Sequence, residues 1–270
     1  MNEIVKYKNE INALKFKGFT KTDMNFFMTL CAKVKDQGEN EISFSFDYLK
    51  QLTNYSSTDV NDFISDLERM NAKLAKITGR FEIEDKIVMF VLFPTFEIDK
   101  KKQILTVAVN PKFSYLLNDV IAPFTRFDLR EFVQLESKYS KNLYRLLKQW
   151  KSTGKMIIND IDDFREKMDV PKAYNNGTFV RDVINPSIEE LQKVFNNLKC
   201  EPVYAQKRGK PLVGFIFSFQ PEEQSQNKDI SLGTTNKSTL TNSAKKYNSY
   251  PQRNYSTQEL DELERKLLAL

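Results

Sequence analysis

The fold is decided by residues 137–169, SKYSKNLYRLLKQWKSTGKMIINDIDDFREKMD. Apolar residues at helical spacing predict a helix over about 137–152, and Gly154 ends it. The apolar run at 156–159 predicts a short strand, and a second helix is expected to begin at Asp160, because Asp caps helix N-termini well.

The segments that follow complete a known unit. Helical spacing predicts a longer helix from Asn176 to about Asn197, and alternating apolar residues predict a hairpin from strands at 201–206 and 211–219. Helix, strand, short helix, long helix and hairpin, in that order, form a winged helix, which is a helix-turn-helix with a β-hairpin appended.

The first half of the chain repeats this order. Gly38 lies ten positions before Tyr48, just as Gly154 lies ten positions before Phe164. Self-similarity of this kind indicates duplication of one unit. The predicted elements are a helix over 20–35, a strand over 41–46, a short helix from Asp47, a longer helix over about 57–73, β-structure with turns near Gly79-Arg80 and Glu84-Asp85, a strand over 104–110 and a short helix over 111–117.

The sequence therefore predicts an α+β protein of two tandem winged-helix domains related by duplication, over residues 1–122 and 123–220. Polar residues dominate 221–255, which we expect to be a disordered linker because it has too few aliphatic residues to form a core. A capping-box pattern at Ser256-Thr-Gln-Glu259 predicts a short amphipathic helix over 256–270.

The composition excludes most enzyme classes. The chain of 270 residues has no histidine, which removes Ser-His-Asp and Cys-His nucleophiles and His-containing metal sites. Neither GxxxxGK[ST] nor GxGxxG occurs, and no apolar run reaches the roughly 18 residues of a membrane helix. The two cysteines are far apart. We expect a cytoplasmic protein with reduced thiols, no membrane partner, no cofactor and no catalytic or metal site.

The basic charge is localised. Residues 1–110 hold 16 Lys and Arg against 16 Asp and Glu, whereas residues 111–220 hold 18 against 13. The whole formal excess of +5 therefore lies in the predicted second domain. A localised excess of this sign attracts polyanions and points to nucleic acid.

Four cations follow one face of the helix over 137–152. They are spaced by three, four and three residues, opposite the apolar face, and on a regular helix this spacing makes a continuous stripe. We expect the stripe to contact DNA phosphates, and the alternative is a solvated helix face. The residues are Lys138, Lys141, Arg145 and Lys148.

The turn of the last hairpin is a second basic feature. Lys207, Arg208 and Lys210 surround Gly209, which allows a tight turn. A cationic hairpin tip can enter a minor groove or bind a phosphate, and the alternative is an exposed turn that protects a sheet edge.

The long helix of the second half is the predicted recognition helix. Its N-terminal turns would enter the major groove, where Arg bonds guanine and Asn bonds adenine. Arg181 is the best candidate for reading a base, although it could instead pair with Asp182. The candidate base-reading residues are Asn176, Thr178, Arg181 and Asn185.

The corresponding helix of the first half is acidic, because Asp59, Asp62, Asp66 and Glu68 oppose Arg69 and Lys73. These carboxylates would repel phosphates. We expect the first domain to make protein contacts, including self-association, with auxiliary DNA contact through Arg80 and Lys86 of its hairpin.

Three segments carry a family resemblance. They are IVKYKNEINALKFKGFTKTDMNFFMTL (4–30), FSFDYLKQLTN (44–54) and FTRFDLREFVQLESKYSKNLYRLLKQWKSTGK (124–155), and they resemble the RepB-type initiator proteins of theta-replicating bacterial plasmids. The resemblance covers roughly residues 4–219, including FVRDVINPSIEELQKV (179–194) and the basic hairpin.

The resemblance implies a tandem winged-helix protein that binds repeated origin sequences, called iterons. The second domain would read the major groove, and the first would alternate between dimer formation and added DNA contact. Monomers would open the origin and recruit the host initiator ATPase and replicative helicase, while dimers would repress their own promoter. By position, the resemblance places Asn176, Thr178, Arg181 and Asn185 on the base-reading helix. It places Lys138, Lys141 and Lys148 on the first helix of the second domain, and Lys207, Arg208 and Lys210 on its wing.

Two other functions remain open at this point. A winged-helix transcription regulator shares the same DNA-binding physics and differs only in lacking a role in replication. A metal-dependent nuclease or primase could use carboxylates alone, although no Asp or Glu cluster has a recognisable spacing.

Overall fold

The computed structural model describes residues 3–222, except residues 36, 39, 77–78, 84–85, 112–113 and 119–122 and the side chains of 79–83 and 86–90. The predicted helix over 256–270 and nearly all of the predicted linker over 221–255 lie outside these residues. None of the helices described is both long and apolar enough to span a bilayer.

The first winged-helix unit follows an N-terminal strand and a 3-10 turn that the sequence analysis did not predict. The elements are β1 (Ile4–Lys8), the 3-10 turn (Asn9–Ala13), α1 (Lys21–Val34), β2 (Ile42–Ser45), α2 (Phe46–Thr53), α3 (Val60–Leu74), β3 (Gly79–Ile83), β4 (Lys86–Phe90), β5 (Thr95–Asp99), β6 (Ile104–Ala108) and α4 (Ser114–Leu117).

The second unit is likewise preceded by a strand and a short helix that were not predicted. The elements are β7 (Phe124–Asp128), α5 (Leu129–Gln134), α6 (Lys138–Gln149), β8 (Lys155–Ile158), α7 (Ile161–Lys167), α8 (Asn176–Phe179), a π-helical turn (Val180–Ile184), α9 (Asn185–Leu191), β9 (Lys199–Tyr204) and β10 (Leu212–Ser218).

The two units have the same sheet topology. The strand orders are β2-β6-β5 and β8-β10-β9, so in each unit the strand before the helix-turn-helix pairs with the last strand of the wing. This confirms two tandem winged helices. Gly79 and Arg80 lie within β3, and residues 77–78, where the turn predicted near them would fall, lie outside the described residues. The hairpin β3–β4 is an addition between α3 and the wing β5–β6.

A two-stranded sheet joins the two halves of the chain. β1 pairs antiparallel with β7, with Val5 opposite Phe127 and Lys6 opposite Arg126, across the predicted domain boundary at residue 122. α1 packs against both β1 and α6, and β7 packs against α6. Most buried apolar residues of both halves therefore form one contiguous core within the described chain, and Val203 and Ile216 form a small separate cluster.

Side-chain caps visible in the sequence begin the principal helices of both units. Thr20 and Asp23 form a reciprocal capping box at α1, and the side chain of Asp160 accepts the backbone N–H of Asp163 at α7. Each cap satisfies a backbone donor that the first turn leaves without a partner. The other capping side chains of the two units are Ser45 for α2, Asp59 for α3, Ser137 for α6 and Asn175 for α8.

The two equivalent glycines have the same backbone conformation but different surroundings. Gly38 has φ +64° and Gly154 has φ +67°, the left-handed region that glycine adopts without a Cβ penalty. A Cβ on Gly38 would meet no atom within 4 Å. A Cβ on Gly154 would lie 2.4 Å from the carbonyl oxygen of Phe219, a residue whose N–H donates to the carbonyl of Gly154.

We therefore expect Gly154→Ala to destabilise the protein more than Gly38→Ala. Both substitutions force alanine into the left-handed region, at a cost of about 1–2 kcal/mol. Gly154→Ala also pushes the end of β10 away from the helix-strand connection. It should therefore lower the free energy of unfolding by about 1 kcal/mol or more beyond the effect of Gly38→Ala. Urea unfolding of both variants measures the difference. Equal losses would show that the contact with Phe219 is unimportant.

Candidate nucleic-acid interface

The predicted recognition helix is continuous from α8 through the π turn to α9. Phe179, Val183 and Ile184 are buried on its inner side. The ring of Phe179 lies 5.7 Å from that of Phe215 on β10 and 6.1 Å from that of Phe164 on α7. This aromatic cluster holds the helix against the short helix before it and the wing sheet after it.

The start of the helix is fixed by the turn that precedes it. The guanidinium of Arg165 on α7 donates to the carbonyl oxygen of Tyr174 and lies 4.8 Å over the ring of Phe179. The side chain of Asn175 accepts the backbone N–H of Thr178 at 2.9 Å. Arg165 thus fastens the two helices of the helix-turn-helix to each other.

Three of the four predicted base-reading residues lie on the outer side of this helix. Asn176, Arg181 and Asn185 are exposed, and Thr178 is half-buried. Their placement is compatible with contact to a base edge. Whether they read bases stays a prediction.

Pro186 explains the π turn in the middle of the helix. Proline has no N–H, so it cannot donate to the carbonyl four residues earlier, and its ring crowds that turn. The backbone instead makes a wider turn in which the N–H of Asn185 donates to Val180, five residues back. The Ser187 hydroxyl donates to the carbonyl of Val183 at 2.7 Å. The helix is therefore continuous through Pro186 and has one widened turn.

Arg181 pairs with its neighbour in the structure. Its Nε and Nη2 atoms lie 2.6 and 2.8 Å from the two carboxylate oxygens of Asp182. The arginine side chain is 73% exposed, and this pairing lowers the pKa of Asp182. An exposed pair of this kind is weak, so a guanine edge can compete for the guanidinium.

The wing of the second unit presents three free cations. Lys207, Arg208 and Lys210 are exposed, and none of them forms an ion pair with a described residue. The turn is closed by the N–H of Lys210, which donates to the carbonyl of Lys207 at 2.9 Å, and Gly209 has φ +84°. The positions match those predicted from the sequence, and their contact with phosphates stays a prediction.

The exposed basic charge of the second unit is concentrated in its recognition helix and wing. Every Lys and Arg between residues 172 and 210 is exposed, whereas only three of the four acidic residues in that range are. The exposed cations are Lys172, Arg181, Lys193, Lys199, Lys207, Arg208 and Lys210.

The predicted basic stripe on α6 is wrong. Lys141 and Arg145 have no exposed surface, and Lys148 is 5% exposed. Lys138 is half-buried, with its Nζ 2.7 Å from a carboxylate oxygen of Asp169. The stripe faces protein, because other segments cover the side of α6 that periodicity assigned to solvent. The 3-10 turn covers Arg145, α5 contacts Lys141 and Lys148, and the residues after α7 contact Lys138. These residues do not form a phosphate-binding surface in this structure.

Each buried cation of α6 has specific partners. The Nζ of Lys141 donates to the carbonyl oxygen of Phe132 at 2.5 Å and lies 4.6 Å from the centre of that ring. The Nζ of Lys148 lies 2.6 Å from Glu222 and 3.3 Å from Glu131. Burial lowers the pKa of Lys141 to about 7, because none of the carboxylates around it is close enough to compensate for the lost hydration.

Lys141 should make stability depend on pH. Its folded-state pKa is about 7, whereas an unfolded lysine has a pKa of about 10.4. Between these values the unfolded chain binds the proton and the folded chain does not. The free energy of unfolding should therefore rise with pH from about 7 towards 10, by up to about 1.4 kcal/mol per pH unit from this group.

The substitution Lys141→Met should remove this contribution and leave stability at pH 7 unchanged or higher, because methionine fills the same space without a charge to desolvate. Urea unfolding of both proteins at pH 7, 8 and 9 measures the effect. All other titrating groups are common to the two proteins, so their difference isolates Lys141. Parallel stability curves would contradict the prediction.

The wing of the first unit carries a basic turn that the sequence analysis missed. Lys100, Lys101 and Lys102 connect β5 to β6 and are exposed. The carboxylate of Asp99 shapes this turn by accepting the backbone N–H groups of Lys101 and Lys102 at 3.1 and 2.8 Å. The sequence does contain a signal for this turn, because the three lysines lie between two segments of alternating apolar residues, which is the pattern of a hairpin. Arg80 and Lys86, the cations predicted for the first hairpin, lie instead on β3 and β4, and their roles stay predictions.

The recognition helix of the first unit, α3, does present acidic residues. Asp62 and Glu68 are exposed, whereas Asp66 bonds the Tyr55 hydroxyl at 3.0 Å and Arg69 at 2.6 Å. The first unit therefore combines an acidic helix with a basic wing. Over the residues that the structure describes, no three His, Cys, Asp or Glu side chains converge as metal ligands.

Comparison with known proteins now decides the family. Residues 4–148 match the family described as Initiator Replication protein, WH1, and residues 160–219 match Initiator Rep protein, WH2. The chain belongs to the initiator replication protein family. The first match runs to residue 148, so in the family's own division β7, α5 and nearly all of α6 belong with the first winged helix.

Two individual proteins agree with this assignment. A protein of Bifidobacterium longum (strain NCC 2705) described as "Probable replication protein rep" is 36% identical over 224 residues, which cover 82% of this chain and 74% of that protein. The solved structure of the Pi initiator protein in complex with iteron DNA has the same fold, with a TM-score of 0.61 at 17% identity, over 82% of this chain and 98% of that one. The resemblance to plasmid replication initiators is confirmed, and a transcription regulator without a replication role is not supported.

Proposed function

We propose that this replication initiator binds repeated origin sequences in duplex DNA through its second winged helix. The recognition helix α8–α9 would enter the major groove, and the wing β9–β10 would contact the flanking backbone. The observation that carries the proposal is the concentration of exposed cations between residues 172 and 210, on the two elements that a winged helix uses. The Pi initiator, which shares the fold, was solved with iteron DNA.

The residues divide into two roles. Arg181 would bond guanine, Asn176 and Asn185 would bond adenine, and Thr178 would also contact a base edge. The wing cations would bind phosphates and so add affinity for any sequence. The wing residues are Lys207, Arg208 and Lys210.

Single substitutions should separate these roles. Arg181→Ala should relax the preference at one base position by about 1–3 kcal/mol and leave affinity for random duplex nearly unchanged. Lys207→Ala should weaken binding to all sequences and reduce the slope of log affinity against log salt by about one. Competition binding at three salt concentrations measures both effects.

Lys17→Ala is the matched control, since Lys17 is an exposed lysine that forms no ion pair with a described residue and lies outside the second unit. It should leave both quantities as in the wild type. Identical losses for Arg181→Ala and Lys207→Ala on specific and random DNA would contradict the assignment of roles.

We propose that the first unit adds a weaker contact through its wing. Lys100–Lys102 occupy the position that corresponds to Lys207–Lys210 of the second wing, so they would face a neighbouring stretch of backbone if both units lie along one duplex. Arg80 and Lys86 are additional candidates. Lys101→Ala should lower the salt slope by up to about one without altering base preference. A change in base preference would show that this wing enters a groove.

The biological role follows from binding spaced repeats. Copies bound along the origin would strain the duplex, so that adjacent A·T-rich DNA melts, and would recruit the host initiator ATPase and replicative helicase. A dimer formed through the first unit would repress its own promoter. The protein would act in the cytoplasm as a binding protein, without a cofactor or catalysis.

Maintenance of an origin plasmid in host cells with and without this gene tests the role in replication. Maintenance of the plasmid without the gene would contradict that role.

A further inference from the structure

Residues 4–18, here called the strap, cross from one winged-helix unit to the other. β1 pairs with β7, the 3-10 turn packs against α6, and the ring of Phe16 lies 5.0 Å from that of Phe27 on α1. The strap thus contacts α1 in the first unit and α6 in the second.

A buried polar network anchors the middle of the strap. The Asn12 amide donates to the Thr125 hydroxyl at 2.8 Å and to the Gln149 side chain at 3.0 Å. The Thr125 hydroxyl donates to Asn9 at 2.8 Å, and the Tyr7 hydroxyl donates to Asn12 at 3.0 Å. Each group is satisfied only while the strap stays in this register, because a shift would leave buried donors without acceptors.

Arg145 on α6 is a charged anchor of the strap and is fully buried. Its Nη1 donates to the carbonyl of Asn12 and its Nη2 to that of Leu14, each at 3.0 Å. Its Nε donates to Asn142 at 3.1 Å, and its guanidinium lies 4.7 Å from the centre of the Phe16 ring. One fully buried side chain thereby fixes the end of the 3-10 turn to α6.

The outer end of the strap reaches the helix-turn-helix of the second unit. The Nζ of Lys15 lies 2.5 Å from Glu166 and 3.3 Å from Asp163, both on α7. The backbone N–H of Gly18 donates to Asp169, just beyond α7, at 3.1 Å. Arg165, which also lies on α7, donates to the carbonyl oxygen of Tyr174 just before the recognition helix. The strap is therefore connected to the recognition helix through α7.

We propose that the strap sets the distance and rotation between the two DNA-contacting units, with Arg145 as its positioning residue, so that the protein selects one spacing between two elements within a DNA repeat. This inference rests on the proposed function, in which both units contact the same duplex. Two linked modules bind jointly only when the linkage allows both to reach their sites. Inserting one base pair moves one element by about 3.4 Å and turns it by about 34°, which a rigid linkage does not follow.

The experiment is a binding selection from random duplexes with the full chain. Wild-type protein should select two elements at a single spacing. Insertion of one base pair between them should lower its affinity about tenfold or more, because one unit loses its contact. Arg145→Lys keeps the charge but cannot bond both carbonyls in the same way, so it should select a spread of spacings and lose less than about threefold on insertion.

Lys15→Glu tests the same point without altering the core, because Lys15 is exposed and the change only reverses the attraction to Asp163 and Glu166. It should broaden the selected spacing in the same direction as Arg145→Lys. Lys17→Glu is the matched control, since it makes the same charge change two residues away, where no described acidic residue forms an ion pair with the lysine. It should keep the wild-type spacing.

The outcomes separate the inference from the function beneath it. Selection of two elements with one spacing by the wild type, Arg145→Lys and Lys15→Glu alike would overturn the inference and leave DNA recognition standing. Selection of a single element by the wild type would also overturn it. Failure of the wild type to select any sequence would instead overturn the proposed function. Should Arg145→Lys not fold, Lys15→Glu against Lys17→Glu decides the matter.

Discussion

The arrangement of the two units depends on one set of hydrogen bonds. The buried guanidinium of Arg145 donates them to carbonyl oxygens of the N-terminal segment. Arginine suits this position because its planar fork supplies several donors at fixed angles and can also stack on an aromatic ring. A buried charge is costly unless its hydrogen bonds are satisfied, and here carbonyl dipoles rather than a carboxylate satisfy them. Burial lowers the pKa of Arg145 only to about 10, so the side chain stays charged under physiological conditions.

The cations of the second half therefore divide between the interior and the surface. Those of α6 bond backbone carbonyls, an aromatic face or acidic partners, and Arg145 among them joins α6 to the N-terminal segment. Those of residues 172–210 are exposed on the recognition helix and wing. Net charge by segment correctly placed exposed basic residues in the second half but assigned them to the wrong helix. Charge counts do not distinguish a cation that meets solvent from one that meets protein, and only the packing of distant segments decides this.

Local patterns predicted the helix order, the caps, the glycine stops and the second wing, because each depends on residues close together in sequence. The pairing of β1 with β7 was missed because its partners are more than one hundred residues apart and each strand is short. The cover that residues 11–14 place over Arg145 was missed for the same reason. For Arg181, the sequence left two partners open, a base edge and Asp182, and the structure without DNA shows the second. The first wing was missed because the hairpin β3–β4 occupies the place where the order of elements predicts a wing.

The widened turn at Val180–Ile184 changes which residues of the recognition helix lie on the same face. A regular α-helix advances about 100° per residue, so one additional residue in a turn rotates everything after it by about that angle. A helical wheel drawn with a single period is therefore correct for Asn176 and wrong by one step for Glu189. Any scheme that assigns successive bases to successive helix positions must be drawn in two sections that meet at Pro186, each with its own angular origin.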